Sequence, residues 1–262
     1  MDLLGVAEIK EYEKYLGLPA VVGKNKKASL NYIKERVWAK LQGWKEKLLS
    51  QAGREVLLKA VVQAIPTFAM TCFKLPVGLC KEIEMLIIKF WWGERGGQRK
   101  IHWKSWKILC KSKAEGGMGF KDLVRFNEAM LAKQIWRLQT EKESLLYRVF
   151  STKFFPSGSV FEARCSTGSF AWQSLLKARH VIEKGMLWRV GDGMQIRVFH
   201  DNWIPGCFLN GAVPRTPGSE DDSTVSSLIN PVTMEWNEEQ IDLIVAPFLA
   251  QQIKAIPLCK SV

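Results

Sequence analysis

Apolar residues recur at steps of three and four between residues 29 and 49, and this period constrains the fold more than any other feature. The stripe consists of Leu30, Ile33, Val37, Leu41, Trp44 and Leu48. Such a stripe predicts an amphipathic helix that must bury one face. The same period predicts helices over residues 51–65, 78–92, 101–110, 122–139, 141–153 and 170–183. We therefore expect a mainly α-helical fold, with a helical bundle followed by a helical connector.

Residues that can cap helices stand just ahead of several stripes. The candidates are Ser29, Ser50 and Ser169, the Thr140–Glu143 pair with its capping-box spacing, and Asn237 before a last short helix. Pro247 suits the first turn of a further helix, because its missing N–H is not needed there.

The helical period changes after residue 186. Residues 187–190 and 195–199 alternate in polarity around Gly191-Asp-Gly193, which predicts a small β-hairpin. Residues 205–233 are rich in proline, glycine and acidic side chains and predict a linker. We expect the chain to divide loosely into two parts near residue 115.

Positive charge is concentrated in the first half of the chain, whose formal net charge is +12 over 262 residues. Residues 10–113 hold 22 Lys and Arg against 8 Asp and Glu, whereas residues 201–262 hold 3 against 8. Clustered positive charge indicates a polyanion partner, and nucleic acid is the usual one because phosphate neutralisation supplies sequence-independent affinity. The alternative is a basic surface that only keeps the chain in solution.

Several classes of protein are disfavoured. No apolar run reaches the ~18–20 residues of a membrane span, and the first residues resemble neither a signal peptide nor a transit peptide. We expect an intracellular chain in the nucleus or cytoplasm, with the mitochondrion as the alternative compartment. The six cysteines and three histidines show no zinc-finger spacing, so we expect no metal or other cofactor. We also expect no small-molecule substrate.

A series of short motifs resembles one known family. In chain order they are Lys14-Tyr-Leu-Gly-Leu-Pro19, Ser50-Gln-Ala-Gly-Arg54, Ala64-Ile-Pro66, Lys74-Leu-Pro76, Phe90-Trp-Trp-Gly93, Ile101-His-Trp103, Gly116-Gly-Met-Gly-Phe-Lys-Asp-Leu123, Phe126-Asn127, Trp136-Arg-Leu138, Trp188-Arg-Val-Gly-Asp-Gly193 and Asp201-Asn-Trp-Ile-Pro205. Each string is weak alone, but the order is specific. Together they resemble plant LINE-type (non-LTR) retrotransposon reverse transcriptases over roughly residues 12–258.

The resemblance implies an arrangement in which this stretch follows the polymerase palm and precedes a zinc-binding segment. It implies an extended exit from the palm at residues 1–28 and a helical, thumb-like domain at residues 29–115. A helical connector with the β-hairpin would occupy residues 116–204, and an acidic linker with short helices residues 205–262. The chain would then begin just after the palm and end just before the zinc segment.

The catalytic residues of the family are not matched. Polymerisation needs two Mg²⁺ ions held by carboxylates, and the family supplies two of these from the Asp-Asp of a hairpin. The Asp-Asp pair here, Asp221-Asp222, follows Ser219-Glu220 in an acidic stretch without flanking strands. We therefore expect no catalytic residues and no polymerase activity from this chain alone.

A thumb holds the sugar–phosphate backbone of a template–primer duplex through Lys and Arg side chains. The candidates for this role are Lys24, Lys26, Lys27, Lys34, Lys40, Lys45, Lys47, Arg54 and Lys59, with Arg95, Arg99 and Lys100 in a glycine-rich loop as further ones. Trp44, Trp91, Trp103, Trp136 and Trp188 are predicted to pack in the core. Trp38 lies off the main apolar stripe and is the best candidate for stacking on a base.

Three functional hypotheses follow from the sequence. The first is a non-catalytic polymerase fragment with weak, sequence-independent affinity for nucleic acid. The second is an inert retroelement remnant, and the third is a basic helical module that binds an acidic protein. The oligomeric state is left open.

Overall fold

The computed structural model describes residues 14–19, 22–45, 49–95, 98–99, 101–156, 159–161, 163, 168–206 and 223–258. Two compact units divide the chain, Met1–Ile182 and Glu183–Val262. The structure is mainly helical, which confirms the predicted fold class. No helix in the described ranges is both long and apolar enough to cross a membrane.

The first unit is built from short and medium helices. They are α1 (Lys26–Leu30), α2 (Tyr32–Lys45), α3 (Gln51–Ala60), α4 (Thr67–Cys72), α5 (Val77–Trp92), α6 (Trp106–Leu109), α7 (Leu123–Thr140), α8 (Leu145–Phe154) and α9 (Phe170–Leu176). A tenth helix, α10 (Arg179–Gly185), begins at the end of this unit. Two short antiparallel pairs accompany them, β1 (Lys14–Tyr15) with β2 (Leu18–Pro19) and β3 (Glu94–Arg95) with β4 (Gln98–Arg99).

The helix predicted over residues 29–49 is two helices. Asn25, rather than Ser29, caps α1, because its side-chain oxygen accepts the Ala28 N–H at 3.1 Å. The chain turns at Asn31 before α2 begins. The apolar stripe is confirmed, since Leu30, Ile33, Val37 and Leu41 are all buried.

The next predicted helix starts where expected and ends earlier. Ser50 caps α3 through a 3.2 Å bond from the Gly53 N–H, as predicted. The helix stops at Ala60, and a 3₁₀ turn over Val62–Ala64 leads to α4, which periodicity did not predict.

The predicted cap of α8 is wrong by four residues. The Ser144 hydroxyl accepts the Tyr147 N–H at 3.2 Å, and α8 begins at Leu145. The Thr140 hydroxyl instead donates to the Trp136 carbonyl inside α7. The predicted Ser169 cap is confirmed, but the helix after it is split into α9 and α10.

Two apolar cores stabilise the first unit. The larger is formed mainly by α2, α3 and α5, with Leu30, Ile33, Val37, Leu58, Leu79, Ile83 and Ile87 inside it. Leu109, Phe120 and Leu123 belong to the same core, so the predicted division near residue 115 falls within it. The second core joins α7 to α9, and there the Trp172 indole stacks on Phe154 at 4.6 Å between ring centroids.

The second unit is less regular. Its helices are α11 (Glu238–Ile244) and α12 (Pro247–Lys254), preceded by a 3₁₀ turn over Val225–Leu228. Asn237 caps α11 by accepting the Gln240 N–H at 3.2 Å, and Pro247 occupies the first turn of α12, both as predicted.

The β-hairpin predicted around residues 191–193 is wrong. The Trp188 N–H donates to the Asn202 carbonyl at 2.8 Å, and the Val198 N–H donates to the Ser223 carbonyl at 2.9 Å. The two segments therefore find other partners, and Arg197 forms an isolated antiparallel bridge with Thr224. The turn itself is present, with Gly193 at φ +73°.

The end of the linker predicted over residues 205–233 is a packed segment instead. Residues 207–222 lie outside the described ranges. Val225 and Leu228 are fully buried in the core of the second unit, together with Trp203, Ile241 and Leu249. That part of the stretch is structural, because apolar residues near its end supply core contacts that the polar composition of the whole stretch conceals.

Candidate nucleic-acid interface

The basic residues of α1 and α2 surround a shared carboxylate. Lys27 and Lys34 both form ion pairs with Glu82 on α5, the second at 2.8 Å. The hydrogen bonds from Lys27 and then Lys34 lower the pKa of Glu82 to about 2. Glu82 is therefore ionised at neutral pH, and these two lysines tie α1 and α2 to α5.

Arg54 and Lys59 on α3 are also engaged within the fold. The Arg54 guanidinium donates to the Trp91 carbonyl at the end of α5, at 3.5 Å, and lies 6.0 Å from the Phe90 ring centroid. Lys59 pairs with Glu55 at 2.8 Å, and together with Lys113 it lowers the pKa of that carboxyl group. Their contacts give both side chains a structural role.

The remaining predicted cations are differently placed. Lys26 lies 4.8 Å above the Phe170 ring, and Lys24 is exposed. Lys40 is exposed on α2 and has no ion-pair partner in the described ranges. The side chain of Lys45 and all of Lys47 lie outside those ranges, as do the side chains of Arg95 and Arg99 and all of Lys100.

Sequence reasoning missed one cation on the same face. Arg36 stands four residues before Lys40 on α2, so the two side chains are neighbours on the helix surface. Both are exposed, and no carboxylate in the described ranges forms an ion pair with either. The i, i+4 spacing of exposed Arg and Lys was the available signal.

A groove lies between α2 and α5 on the first unit. Its walls are Asn31, Lys34, Glu35 and Trp38 on one side and Glu82, Met85, Leu86 and Lys89 on the other, and its volume is about 510 Å³. Trp38 is 52% exposed and Met85 54% exposed. Two large apolar side chains thus face solvent between charged neighbours.

The five tryptophans that were predicted to pack in the core divide into two groups by their exposure. Trp91 is buried and Trp44 is half-buried, as predicted for core residues. The core prediction is wrong for Trp103, Trp136 and Trp188, which are exposed. Their positions in the apolar pattern were misleading. A residue near a helix end or in a loop can follow the pattern and still lie outside the packed core.

Carboxylates in the described ranges make hydrogen bonds and ion pairs that stabilise the fold. Buried Glu84 accepts the Leu123 N–H at 2.9 Å at the start of α7 and pairs with Lys81 at 2.8 Å. In the described ranges no three His, Cys, Asp or Glu side chains meet in an arrangement that would hold a metal ion. Asp221 and Asp222 lie outside those ranges.

Burial affects the thiols of two cysteines in the first unit, Cys80 and Cys110. Burial raises the pKa of Cys80 to about 12, and burial likewise raises that of Cys110 to about 12. Thiols with such pKa values remain protonated at neutral pH and are poor nucleophiles and metal ligands.

Comparison with known proteins gives two relatives from Arabidopsis thaliana. An uncharacterized mitochondrial protein is 42% identical over 145 residues, which are 54% of this chain and 93% of that protein. The chain belongs to the family of this mitochondrial protein. No family model matches the chain.

The second relative of the chain is a much longer protein. It is named "Putative ribonuclease H protein" and is 34% identical over 194 residues. The match covers 72% of this chain but only 31% of that protein. The chain therefore corresponds to less than a third of this relative.

Proposed function

We propose that the chain is a retroelement-derived, non-catalytic segment of a LINE-type RNA-directed DNA polymerase, equivalent to its thumb and connector. In this role it binds the backbone of a template–primer duplex weakly and without sequence preference. The ordered motifs from Lys14 to Pro205 support the origin. The relative named for ribonuclease H supports it too, because such a domain often follows the connector in the family that the motifs resemble.

The observation that carries the proposed binding is the basic edge of α2. Arg36 and Lys40 are exposed neighbours without ion-pair partners in the described ranges. An unpaired cation can neutralise a phosphate and release its counterion, whereas Lys27, Lys34 and Lys59 would first have to leave their carboxylates. We therefore assign the main phosphate contacts to Arg36 and Lys40, with Lys24 as a further contact.

Salt titration of duplex binding tests this assignment. The purified chain should bind a labelled duplex with affinity that falls steeply as salt rises. Replacing both Arg36 and Lys40 by Gln should lower the slope of log affinity against log salt by about 2, one for each phosphate contact. The matched control replaces Lys133 and Arg148, which are exposed elsewhere on the first unit. Equal effects of the two double variants, or binding that ignores salt, would contradict the assignment.

The absence of catalysis in the proposal rests on the sequence around Asp221-Asp222, which does not predict the flanking strands of a polymerase hairpin. A primer-extension assay with template–primer, deoxynucleotides and Mg²⁺ tests it directly. We expect no extended product from the isolated chain. Metal-dependent incorporation that survives further purification would overturn this part of the proposal.

A second candidate function, a protein-interaction module, is favoured by one observation on α8. Leu145 and Val149 are four residues apart on this helix and are both exposed. Apolar neighbours on one helix face are typical of a protein contact. Pull-downs that survive nuclease treatment and fail after Leu145→Ser and Val149→Ser would support this function. An inert remnant would show neither behaviour.

A further inference from the structure

The groove between α2 and α5 carries an unassigned binding surface. Lining residues come from both helices at steps of three and four, so that the walls run alongside each other. At about 510 Å³ the groove lies within the usual range for small-ligand sites. In the described part of the chain, nothing covers the exposed Trp38 and Met85.

Trp38 gives the groove an aromatic surface. Half of its side chain is exposed, and an indole presents a flat π face on which any base can stack. Met85 lies across the groove and adds a polarizable thioether, which packs favourably against aromatic rings. These two side chains provide what a planar, unstacked base needs, a face to stack on and an adaptable apolar wall.

The charges around the groove favour a phosphate. Lys89 lines it and has no ion-pair partner in the described ranges, while Lys27 and Lys34 share Glu82. Glu35 accepts a hydrogen bond from the Asn31 amide at 2.8 Å. The lining thus holds two lysines and two carboxylates. Lys27, which pairs with Glu82 from outside the lining, adds one further positive charge beside the groove.

The same charges disfavour a helix of a protein partner. Helix-binding grooves are apolar along the positions that meet the ligand helix. Here Lys34, Glu35, Glu82 and Lys89 occupy half of the lining positions, and an apolar helix would have to desolvate them. A nucleotide can instead leave its phosphate in solvent beside lysine while only the base enters.

We propose that the α2–α5 groove holds one unpaired nucleotide, with its base stacked on Trp38 and its phosphate beside Lys89. The inference rests on the proposed nucleic-acid function and adds a preference to it. A base within a continuous duplex is already stacked on its neighbours and cannot enter the groove. The chain therefore binds single strands, or duplexes with an unpaired overhang, more tightly than blunt duplexes.

Fluorescence anisotropy with labelled thymidine oligonucleotides of about ten nucleotides tests the proposal, with blunt duplexes of the same length beside them. Trp38→Ala should weaken single-strand binding by about 5- to 150-fold, the range expected for loss of one base–aromatic stack. Duplex binding should change less than about twofold, because its phosphate contacts are elsewhere. Trp38→Phe should recover most of the lost affinity.

Two further variants separate stacking from other effects. Trp136→Ala removes an exposed tryptophan of α7 and should leave single-strand binding unchanged. Lys89→Gln should lower the salt slope for single strands by about 0.7, the value for one phosphate contact. A thermal melt of each variant by circular dichroism shows whether it is folded. Photo-cross-linking with 5-iodouracil in the oligonucleotide should label the peptide that contains Trp38.

The possible failures are distinguishable. If the wild-type chain binds neither single strands nor duplexes, the proposed function fails together with the groove assignment. If Arg36 and Lys40 substitutions weaken duplex binding while Trp38→Ala leaves single-strand binding unchanged, only the groove assignment is overturned. A Trp38→Ala variant that converts a dimer into a monomer in sedimentation, without changing nucleic-acid binding, would overturn it as well by showing that a protein covers the groove.

Discussion

The two units of the chain differ in where their backbone polar groups find partners. In the first unit most of these groups bond within helices, and side chains such as Ser50, Asp122 and Ser169 cap the ends from no more than three residues away. In the second unit, the backbone of residues 188–198 bonds to residues 202 and 223–226 instead. Local chemistry therefore shapes the first unit, whereas long-range pairing shapes the second.

The first unit nevertheless also uses long-range polar contacts, and Asn127 makes three of them. Asn127 on α7 is buried, and its amide nitrogen donates to the carbonyls of Met70 and Phe73, each at 2.9 Å. Its side-chain oxygen accepts the Leu75 N–H at 2.8 Å. One side chain thus satisfies three backbone groups, one in α4 and two in the segment between α4 and α5. This gives a physical reason for the Lys74-Leu-Pro76 and Phe126-Asn127 motifs.

The largest effect that we expect comes from Asn127→Leu. The substitution leaves three backbone groups without their partner in a buried site, and each unsatisfied group costs about 1–3 kcal/mol. We therefore expect the free energy of unfolding to fall by about 3 kcal/mol or more. Urea denaturation followed by circular dichroism measures it. Gln134→Leu, on the same helix, should change it by about 0.5 kcal/mol or less, because within the described ranges the Gln134 side chain bonds to the Arg137 side chain alone. Similar losses in the two variants would show that Asn127 is not an anchor.

Gly193→Ala tests the corresponding dependence in the second unit. Gly193 has φ +73°, and a Cβ there would lie 2.6 Å from the Ser226 backbone nitrogen. Strain and the clash together should destabilise the unit by about 2–4 kcal/mol. Hydrogen exchange measured by mass spectrometry should show faster exchange in peptides of residues 223–258 and unchanged exchange in α5.

Gly191→Ala is the matched control for this prediction. No atom lies within 4 Å of a Cβ built at Gly191, and its φ is not in the positive range. Its exchange pattern should equal that of the wild type. If the two alanine variants behave alike, the close approach of residues 193 and 226 does not stabilise the second unit.

The contrast between the units explains which features the sequence could predict. The stripe of Ile33 and Val37 and the Ser50 cap depend on neighbours a few residues away, and both were predicted correctly. The hairpin around Gly193 was not, because its strands bond to residues 202 and 223 instead of to each other. Alternation in polarity identifies a half-buried extended segment but not its partner.

The candidate interface shows the same limit. The sequence identifies a basic region, but it did not distinguish engaged cations such as Lys34 from Lys40, which has no ion-pair partner in the described ranges. That difference depends on Glu82, which lies 48 residues from Lys34 in the chain. The sequence did distinguish Trp38 from the tryptophans predicted to lie in the core. Its position off the apolar stripe can be recognised from residues a few positions away.

The positions of helix caps offer a smaller test of local chemistry. Ser144 accepts the Tyr147 N–H, whereas Thr140 bonds within α7 and caps nothing. Ser144→Ala should lower the free energy of unfolding by about 1 kcal/mol, as is typical for loss of an N-cap. Thr140→Ala should change it by a few tenths of a kcal/mol at most. The reverse order in urea denaturation would restore the capping box that the sequence suggested.

The smallest effect should come from Glu82, whose carboxylate links α1 and α2 to α5. Lys27 and Lys34 lower the folded pKa of Glu82 from 4.5 to about 2. Because the folded pKa is depressed, the stabilisation is fully present above pH 4.5 and is lost as the pH falls through about 2. The wild type should therefore lose more stability across this window than Glu82→Gln, which lacks the charge at every pH. The effect should be small and should shrink in high salt, since exposed ion pairs are screened.

Glu143→Gln, at an exposed carboxylate with no ion-pair partner in the described ranges, is the control. If the wild type and Glu82→Gln lose stability in parallel between pH 4.5 and 2, the shared carboxylate does not hold the helices together, and the lysines beside the groove are as available to phosphate as Lys40 is.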